Sequence, residues 1–196
     1  ARVNLIDFIT IATLGNSIDF GDLTVTGQGP GANSNTIRGV FAGRVNPSKQ
    51  QVIDYVDIAT TGDATDFGDL VQNGNLMGSG TASATRGVFF GGFISPATQD
   101  EIQYVTISSQ GGANDFGNLR QARAGASGLS DNTRGVIASG YPVTYENGTN
   151  SMEFVTIAST GDSSDFGNLT YNGGYYPMCC ASPTRGIIAG GRDPNN

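Results

Sequence analysis

The chain contains no histidine, no tryptophan, a single lysine (Lys49) and only two cysteines, which are neighbours (Cys179 and Cys180). Without histidine the sequence lacks the commonest general base and the commonest transition-metal ligand. A disulfide between adjacent residues needs a strained geometry, and adjacent cysteines lack the spacing of a metal-binding pair, so both thiols are predicted to serve packing. We therefore expect no cofactor and no metal.

Positive charge is also scarce, since the formal net charge of the chain is −7. A nucleic-acid-binding protein usually shows a clustered basic surface, and the sequence has none, so nucleic acid is not expected as a partner. No stretch approaches the roughly 18 apolar residues of a membrane-spanning helix, so membrane insertion is not expected either. The chain begins without methionine, and we interpret it as a processed product or a segment of a longer protein.

What the sequence does contain is a fourfold repeat. Asp-Phe-Gly occurs at 19–21, 66–68, 115–117 and 165–167, in steps of 47, 49 and 50 residues. Arg-Gly follows each triplet, at 38–39, 86–87, 134–135 and 185–186. An aromatic residue stands 11 positions before each repeat aspartate, namely Phe8, Tyr55, Tyr104 and Phe154. Self-similarity at a fixed period of this length indicates a repeat architecture.

Each repeat is predicted to form about four short strands. The clearest segment, 52–58, is rich in β-branched and aromatic residues, and glycine-rich turns separate it from Asp66–Leu70 and Arg86–Gly92. No long segment has the period of a helix, so helical repeats are excluded. The sequence predicts one all-β domain over 1–196, with repeats at about 1–46, 47–95, 96–145 and 146–196.

The order of aromatic strand, turn, Asp-Phe-Gly-x-Leu, variable segment and Thr-Arg-Gly followed by an apolar strand ending in glycine resembles a degenerate kelch motif. The amino-acid sequences of the repeats are also similar to those of repeats in tail and other structural proteins of tailed bacteriophages. This resemblance covers essentially the whole chain and implies a β-propeller of four blades. Kelch repeats usually carry tryptophan where Phe20, Phe67, Phe116 and Phe166 stand here.

The two ends of the chain carry strands that would be neighbours in one blade. The chain starts with the strand 5–11 and ends just after the strand 185–191. Pairing of these two strands would close a four-bladed ring and remove the exposed sheet edges. The alternative is that the chain contributes four blades to a longer array or to a ring of several chains.

The repeated polar residues are predicted to be structural. We expect each repeat arginine to pair with a repeat aspartate, while anion binding by the arginines is the alternative. The aspartates are Asp19, Asp66, Asp115 and Asp165, and the arginines are Arg38, Arg86, Arg134 and Arg185.

Catalytic patterns are weak. Four copies of Asp-Phe-Gly with one lysine do not fit a protein kinase, which uses one copy together with a strand lysine. Asp63, Asp66 and Asp69 could bind calcium, although capping of turns is the better account. A glycosidase would need two carboxylates across a cleft, and Glu101, Glu146 and Glu153 are poor candidates for that pair. We therefore expect no enzyme.

Irregular segments are where a ligand could bind. Tyr141 and Tyr145 lie in the longest loop between repeats, and Tyr171, Tyr175 and Tyr176 lie in an aromatic variable segment. Tyrosines on loops suit stacking on sugar rings, but packing under loops or against another subunit is an equal alternative.

Together, residues and resemblance predict a non-enzymatic display module of an extracellular particle, and the resemblance points to a phage virion tail, fibre or decoration protein. The expected partners are other virion subunits or further copies of the chain, and a host-surface glycan. The alternatives are a free lectin-like or protein-docking propeller and, less favoured, a glycan-degrading enzyme.

Overall fold

The computed structural model describes residues 1–72, 80–142, 148–171, 174 and 176–192, which form eighteen β-strands and no helix. The prediction of an all-β protein is therefore confirmed. No helix long and apolar enough to cross a membrane is present among the described residues.

The strands form three four-stranded antiparallel sheets, and a two-stranded hairpin lies at each end of the chain. The N-terminal hairpin consists of β1 (Val3–Phe8) and β2 (Ile18–Gly27). The first sheet consists of β3 (Gly31–Ser34), β4 (Arg38–Asn46), β5 (Ser48–Asp57) and β6 (Thr65–Asp69). The second consists of β7 (Gly80–Ala82), β8 (Arg86–Phe90), β11 (Glu101–Thr106) and β12 (Asn114–Asn118).

The third sheet consists of β13 (Ser127–Ser130), β14 (Arg134–Ala138), β15 (Ser151–Thr156) and β16 (Ser164–Asn168). The C-terminal hairpin consists of β17 (Met178–Ala181) and β18 (Gly186–Ala189). A small hairpin of β9 (Phe93–Ile94) and β10 (Ala97–Thr98) lies inside the loop between β8 and β11.

Each four-stranded sheet takes its first two strands from one repeat and its last two from the next. The apolar strand that begins with the repeat arginine is the second strand of its sheet and is buried on both sides, as in β8 and β14. Burial on both faces explains why this strand reads as a continuous apolar run and not as an alternating one. The fold therefore stacks sheets face to face, and the core lies between consecutive sheets.

The Asp-Phe-Gly triplets form a bulge at the same place in each sheet. In the first sheet Ile53 pairs with Gly68 and Asp54 pairs with Asp66, so Phe67 has no partner across the strands. The same shift follows Ile102 in the second sheet and Met152 in the third. The extra residue bends the outer strand and directs the phenylalanine into the space between two sheets.

The innermost strands of the sheets lie side by side, β3 next to β7, β7 next to β13 and β13 next to β17. The pairing of the chain ends expected from the sequence is not formed in the described structure, because β1 pairs only with β2 and β18 only with β17. By position in the repeat, β1 and β2 are equivalent to the last two strands of a four-stranded sheet, and β17 and β18 to the first two.

Candidate functional site: the junctions between sheets and the tyrosine loops

The residues that repeat in the sequence meet at the junctions between consecutive sheets. At the junction of the first and second sheets, the Gly111 N–H donates to the Phe67 carbonyl at 2.8 Å and the Ala113 N–H donates to the Asp69 carbonyl at 2.8 Å. At the junction of the second and third sheets, Gly161 and Ser163 donate in the same way to Phe116 and Asn118. The turn glycine of one repeat therefore binds the Asp-Phe-Gly strand of the preceding repeat.

The glycine of each of the first three triplets is needed because the backbones approach closely there. Gly68 has a φ of 140°, and a Cβ at this position would lie 2.6 Å from the backbone carbon of Gly111. Gly117 has a φ of 142°, and its Cβ would lie 2.5 Å from the backbone of Gly161. Only glycine satisfies both the backbone conformation and the space available.

Arg38 and Arg86 stack on the repeat aromatics and reach across to the next sheet. The guanidinium of Arg38 lies 4.5 Å from the ring centre of Tyr55, and that of Arg86 lies 4.4 Å from the ring centre of Tyr104. Arg38 also donates to the Ile107 carbonyl at 3.1 Å. Arg86 donates to the Ile157 carbonyl at 3.0 Å. Each arginine thus holds two sheets together by a cation–π contact and a charged hydrogen bond.

The expected pairing of repeat arginines with repeat aspartates does not occur in the described part of the chain. Arg38 pairs instead with Asp57 at 3.3 Å. Asp66 and Asp115 each accept the backbone N–H of the glycine two positions later, both at 3.0 Å. Asp165 pairs with Arg120, which is not a repeat arginine, in an exposed contact at 2.9 Å. Asp66 and Asp115 are therefore bound within their own bulges and do not pair with a repeat arginine.

The glycine after the repeat arginine leaves room for a side chain of the preceding sheet at three of the four positions. A Cβ on Gly135 would lie 2.7 Å from the Thr81 side chain, and a Cβ on Gly186 would lie 2.8 Å from the Leu129 side chain. A Cβ on Gly87 would lie 3.2 Å from Asn33. The two residues of the Arg-Gly pair therefore act together. The arginine spans the junction, and the glycine leaves room for the first strand of the neighbouring sheet.

A polar acceptor at every junction was missed by the sequence reasoning. The side chains of Asp54, Gln103 and Glu153 occupy the same place in their sheets and are buried. They accept the backbone N–H groups of Thr24, Val71 and Arg120 respectively, at 3.1, 2.7 and 2.9 Å. The three residues share a side-chain oxygen that accepts a hydrogen bond, but they differ in residue type. A comparison of the repeats for identical residues therefore does not find them.

Two of these acceptors are charged and are neutralised by buried arginines. Arg44 donates to Asp54 at 2.8 Å, and Arg123 forms a short ion pair with Glu153. Burial lowers the pKa of Arg123, and the neighbouring Glu153 carboxylate opposes that shift. Both pairs have essentially no solvent exposure, so they lie outside any cleft that a substrate could enter. Glu153 is thus a structural group and a poor candidate for a glycosidase carboxylate.

Two of the three acids suggested for calcium, Asp63 and Asp66, bind backbone groups. Asp63 accepts the N–H of Asp22 at 3.0 Å across a junction, and Asp66 accepts within its own bulge. Among the described residues, no group of three or more acids or cysteines lies close enough to hold a metal ion. The cysteine pair contains free thiols, and burial raises the pKa of Cys179. Glu101 also has a raised pKa, chiefly because of burial and then because of Asp115.

The five tyrosines proposed for ligand contact are not equivalent in the structure. Tyr141 is fully buried, and its ring packs edge-on against Tyr176 with centres 6.5 Å apart. Tyr171 and Tyr176 are each 37% exposed. Tyr145 and Tyr175 lie outside the described residues. Two tyrosines of the variable segment are therefore presented to solvent, while Tyr141 serves packing.

Tyr176 is held in an uncommon backbone conformation. Its φ is 60°, and its N–H donates to the Gly125 carbonyl at 2.8 Å. Ser139 is also in the left-handed region with a φ of 63°, and its hydroxyl donates a short hydrogen bond to the Gly174 carbonyl. The loop carrying Tyr176 is thus fixed to the third sheet, which presents this ring in a defined position.

The comparisons with known proteins add no family. No protein-family model matches the chain, and no curated protein matches it in sequence.

Proposed function

We propose that this protein is a non-enzymatic structural and display module of an extracellular particle, and that the particle is a phage virion. The observation that carries the proposal is how the repeated residues are used. Arg38, Arg86 and the first three Asp-Phe-Gly strands bind the neighbouring sheet, so the repeated chemistry stabilises a scaffold and does not converge on one substrate. The resemblance of the repeats to phage tail and structural proteins supports the choice of particle.

The proposed architecture of the scaffold is a four-bladed kelch-like β-propeller. The three sheets are blades stacked around their innermost strands β3, β7 and β13. The C-terminal hairpin supplies the inner half of the fourth blade and the N-terminal hairpin its outer half, joined by pairing of β18 with β1. The side-by-side order of the innermost strands supports this arrangement, since a two-sheet sandwich would not place equivalent strands next to each other in turn.

Particle association is tested by immunogold labelling. Antibodies raised against the chain should label intact virions in negative stain and should recognise the chain among the structural proteins of purified particles. The virion proposal fails if the chain is found only in the soluble fraction of the lysate.

Recognition of a host-surface glycan is the display role we propose for Tyr171 and Tyr176. Both rings are part-exposed on a segment that differs between repeats, and Tyr171 is positioned by a hydrogen bond from its hydroxyl to the Gly190 carbonyl at 3.3 Å. Aromatic faces bind the apolar faces of sugar rings.

The glycan role is tested with immobilised host-surface polysaccharide. The double variant Tyr171→Ala, Tyr176→Ala should lose retention but still unfold cooperatively, with a melting temperature lowered only by loss of the Tyr141–Tyr176 ring contact. The exposed-site control Thr60→Ala should keep both retention and melting temperature. Release of reducing ends during incubation would instead indicate a glycan-degrading enzyme. Equal retention of parent and double variant would exclude this site.

A further inference from the structure

A fourth junction, between the third sheet and the N-terminal hairpin, is not formed in the structure. Every residue that it needs is nevertheless present in the chain. Phe20, Phe67 and Phe116 are 7%, 3% and 2% exposed, whereas the equivalent Phe166 is 46% exposed. A Cβ on Gly167 meets no atom within 4 Å, unlike Gly68 and Gly117. The strand β16 therefore carries the same surface as β6 and β12 without the turn that covers it.

The missing turn is found at the other end of the chain. Residues 9–17 occupy the same place in their repeat as the turns that cover Phe20, Phe67 and Phe116, and all nine are exposed. Ile11 is 94% exposed, while the equivalent Ile107 and Ile157 are fully buried. The N-terminal turn and the Phe166 surface are thus the two uncovered halves of a contact that the chain makes three times elsewhere.

We infer that the fourth junction binds residues 6–17 of the same chain in a defined register, an inference that rests on the four-bladed arrangement proposed above. The second and third strands of each complete sheet pair Val40 with Tyr55, Val88 with Tyr104 and Val136 with Phe154. The equivalent pair is Ile187 with Phe8. Two residues further along the same ladder, Arg185 lies opposite Thr10, as Arg134 lies opposite Thr156.

The register assigns a partner to each group at the junction. The N–H groups of Gly15 and Ser17 donate to the carbonyls of Phe166 and Asn168. Asp7 takes the place of Asp54, Gln103 and Glu153 and accepts the Thr170 N–H. Arg134 reaches the Ile11 carbonyl, and Arg185 reaches the Ile58 carbonyl. Ile58 is 48% exposed in the structure, which fits the absence of an arginine above it.

The register also assigns a position to Cys180, next to Gly39. It stands in its hairpin where Asn33, Thr81 and Leu129 stand in the three sheets, since each is paired with the residue that follows the Arg-Gly dipeptide. Those three side chains pack on Gly87, Gly135 and Gly186, whereas Gly39 meets only side chains of its own sheet. The Cys180 side chain therefore packs on Gly39 when the junction is complete.

A cavity of about 670 Å³ lies beside β1, at the place where the proposed ladder puts β18. Phe8, Phe20, Phe41 and Val56 line its apolar wall, and the innermost strands β3, β7, β13 and β17 line the rest together with β1. Both ends of the chain therefore face one space. In the junction of the first and second sheets, Val40 and Ala42 fill the equivalent position, and their counterparts here are Ile187 and Ala189.

Disulfide trapping tests the register. Thr10→Cys and Arg185→Cys are combined in a chain that also carries Cys179→Ser and Cys180→Ser, and mild oxidation should give a monomeric, faster-migrating band on a non-reducing gel. Peptide mapping should identify the bond between positions 10 and 185. The control pair Ser109→Cys with Arg185→Cys, whose first position lies in an exposed turn of the second sheet, should remain reduced.

The outcomes separate the inference from the proposals on which it rests. A chain carrying only Thr10→Cys can also be mixed with a chain carrying only Arg185→Cys. A disulfide that forms only between these two chains would keep the four-bladed arrangement and overturn closure within one chain. The absence of any disulfide between positions 10 and 185 would overturn both. Neither result bears on immunogold labelling of virions, which tests the proposed function separately.

The native thiol gives a second measurement that needs no new cysteine in the strands. In the single variant Cys179→Ser, Cys180 should react with a thiol reagent at least about tenfold more slowly than in the urea-unfolded chain, because packing on Gly39 protects it. Reaction at the unfolded rate would overturn the inference.

Discussion

At the scale of the residue, Arg38 and Arg86 make the contacts across the junctions that the sequence analysis expected from pairs of arginine and aspartate. Arg86 stacks on Tyr104 and donates across the junction to Ile157. The aspartates are bound locally by the backbone of their own bulges. The structural role of both residue types could be predicted from their recurrence in every repeat. The interaction partners of these residues could not be predicted, because which atoms a side chain can reach depends on a bulge that the sequence does not reveal.

Replacement of Arg86 by alanine should lower stability clearly. The variant loses a cation–π contact of about 0.5–1 kcal/mol and a charged hydrogen bond of about 1.5–3 kcal/mol. We expect the melting temperature to fall by several degrees, measured by calorimetry, since about 1 kcal/mol shifts a domain of this size by roughly 2–4 °C. Arg2→Ala, at an exposed site near the N terminus, serves as the control and should change nothing. An unchanged melting temperature in Arg86→Ala together with lost ligand binding would assign the repeat arginines to ligand binding.

Asp131 gives a pH-dependent prediction at the same scale. Its carboxylate accepts the backbone N–H groups of Arg134 and Thr133 at 2.7 and 2.9 Å, and these bonds lower its pKa below the ordinary value of 3.8. A lowered carboxyl pKa stabilises the fold above the ordinary value, and the stabilisation is lost as the pH falls through the lowered pKa.

Asp131→Ala should therefore melt below the parent chain at pH 7, and the difference should vanish in strong acid. Asp131→Asn keeps an acceptor oxygen and should retain most of the parent's stability at pH 7. Thermal melts of the three chains across the acid range check this. A deficit of Asp131→Ala that is independent of pH would show that the carboxylate charge contributes nothing.

At the scale of the element, the outer strand of each sheet is defined by its bulge and by the backbone contact that follows it. Sequence analysis predicted the short strands, the glycine turns and the buried apolar strand, because burial on one or both faces leaves a readable pattern. It did not predict the junction acceptors Asp54, Gln103 and Glu153, since selection there acts on a hydrogen-bond acceptor and tolerates three residue types.

The close approach of backbones at the junction predicts different costs for two glycines with similar φ angles. Gly68→Ala places a methyl group against the backbone of Gly111, whereas a Cβ on Gly111 meets nothing within 4 Å. Both variants carry backbone strain of about 1–3 kcal/mol. Gly68→Ala carries a further 1–3 kcal/mol, approximately, from overpacking. Urea unfolding should show Gly68→Ala to be the less stable variant, and equal stabilities would contradict the tight junction.

At the scale of the whole molecule, the three junctions that are formed show which contacts a fourth junction requires. The repeat and the all-β class were readable from the sequence, whereas the expected pairing of the two chain ends is not formed in the described structure. The separation of the two terminal hairpins in the structure could not be predicted, because each hairpin has a neighbour that holds it independently. The N-terminal hairpin is bound to the first sheet through Phe20 and Asp22, and β17 lies against β13.

The stability of the closed molecule can be measured at one pair of equivalent phenylalanines. Phe116→Ala removes a buried ring and should cost about 3–5 kcal/mol in the free energy of unfolding. If the fourth junction is complete in solution, Phe166→Ala should cost a similar amount, although Phe166 is half exposed in the structure. Chemical denaturation of both variants checks this. A loss near zero for Phe166→Ala would show that the junction stays open.

The bulge in each sheet also limits how this chain can change in evolution. Because successive side chains of a strand point to opposite faces, deleting one residue next to Phe67 would turn that ring from the interior to the solvent and remove its junction. Small insertions and deletions are therefore poorly tolerated inside the strands, and growth of the protein is restricted to the gain or loss of complete repeats, with freedom in length confined to the connecting segments.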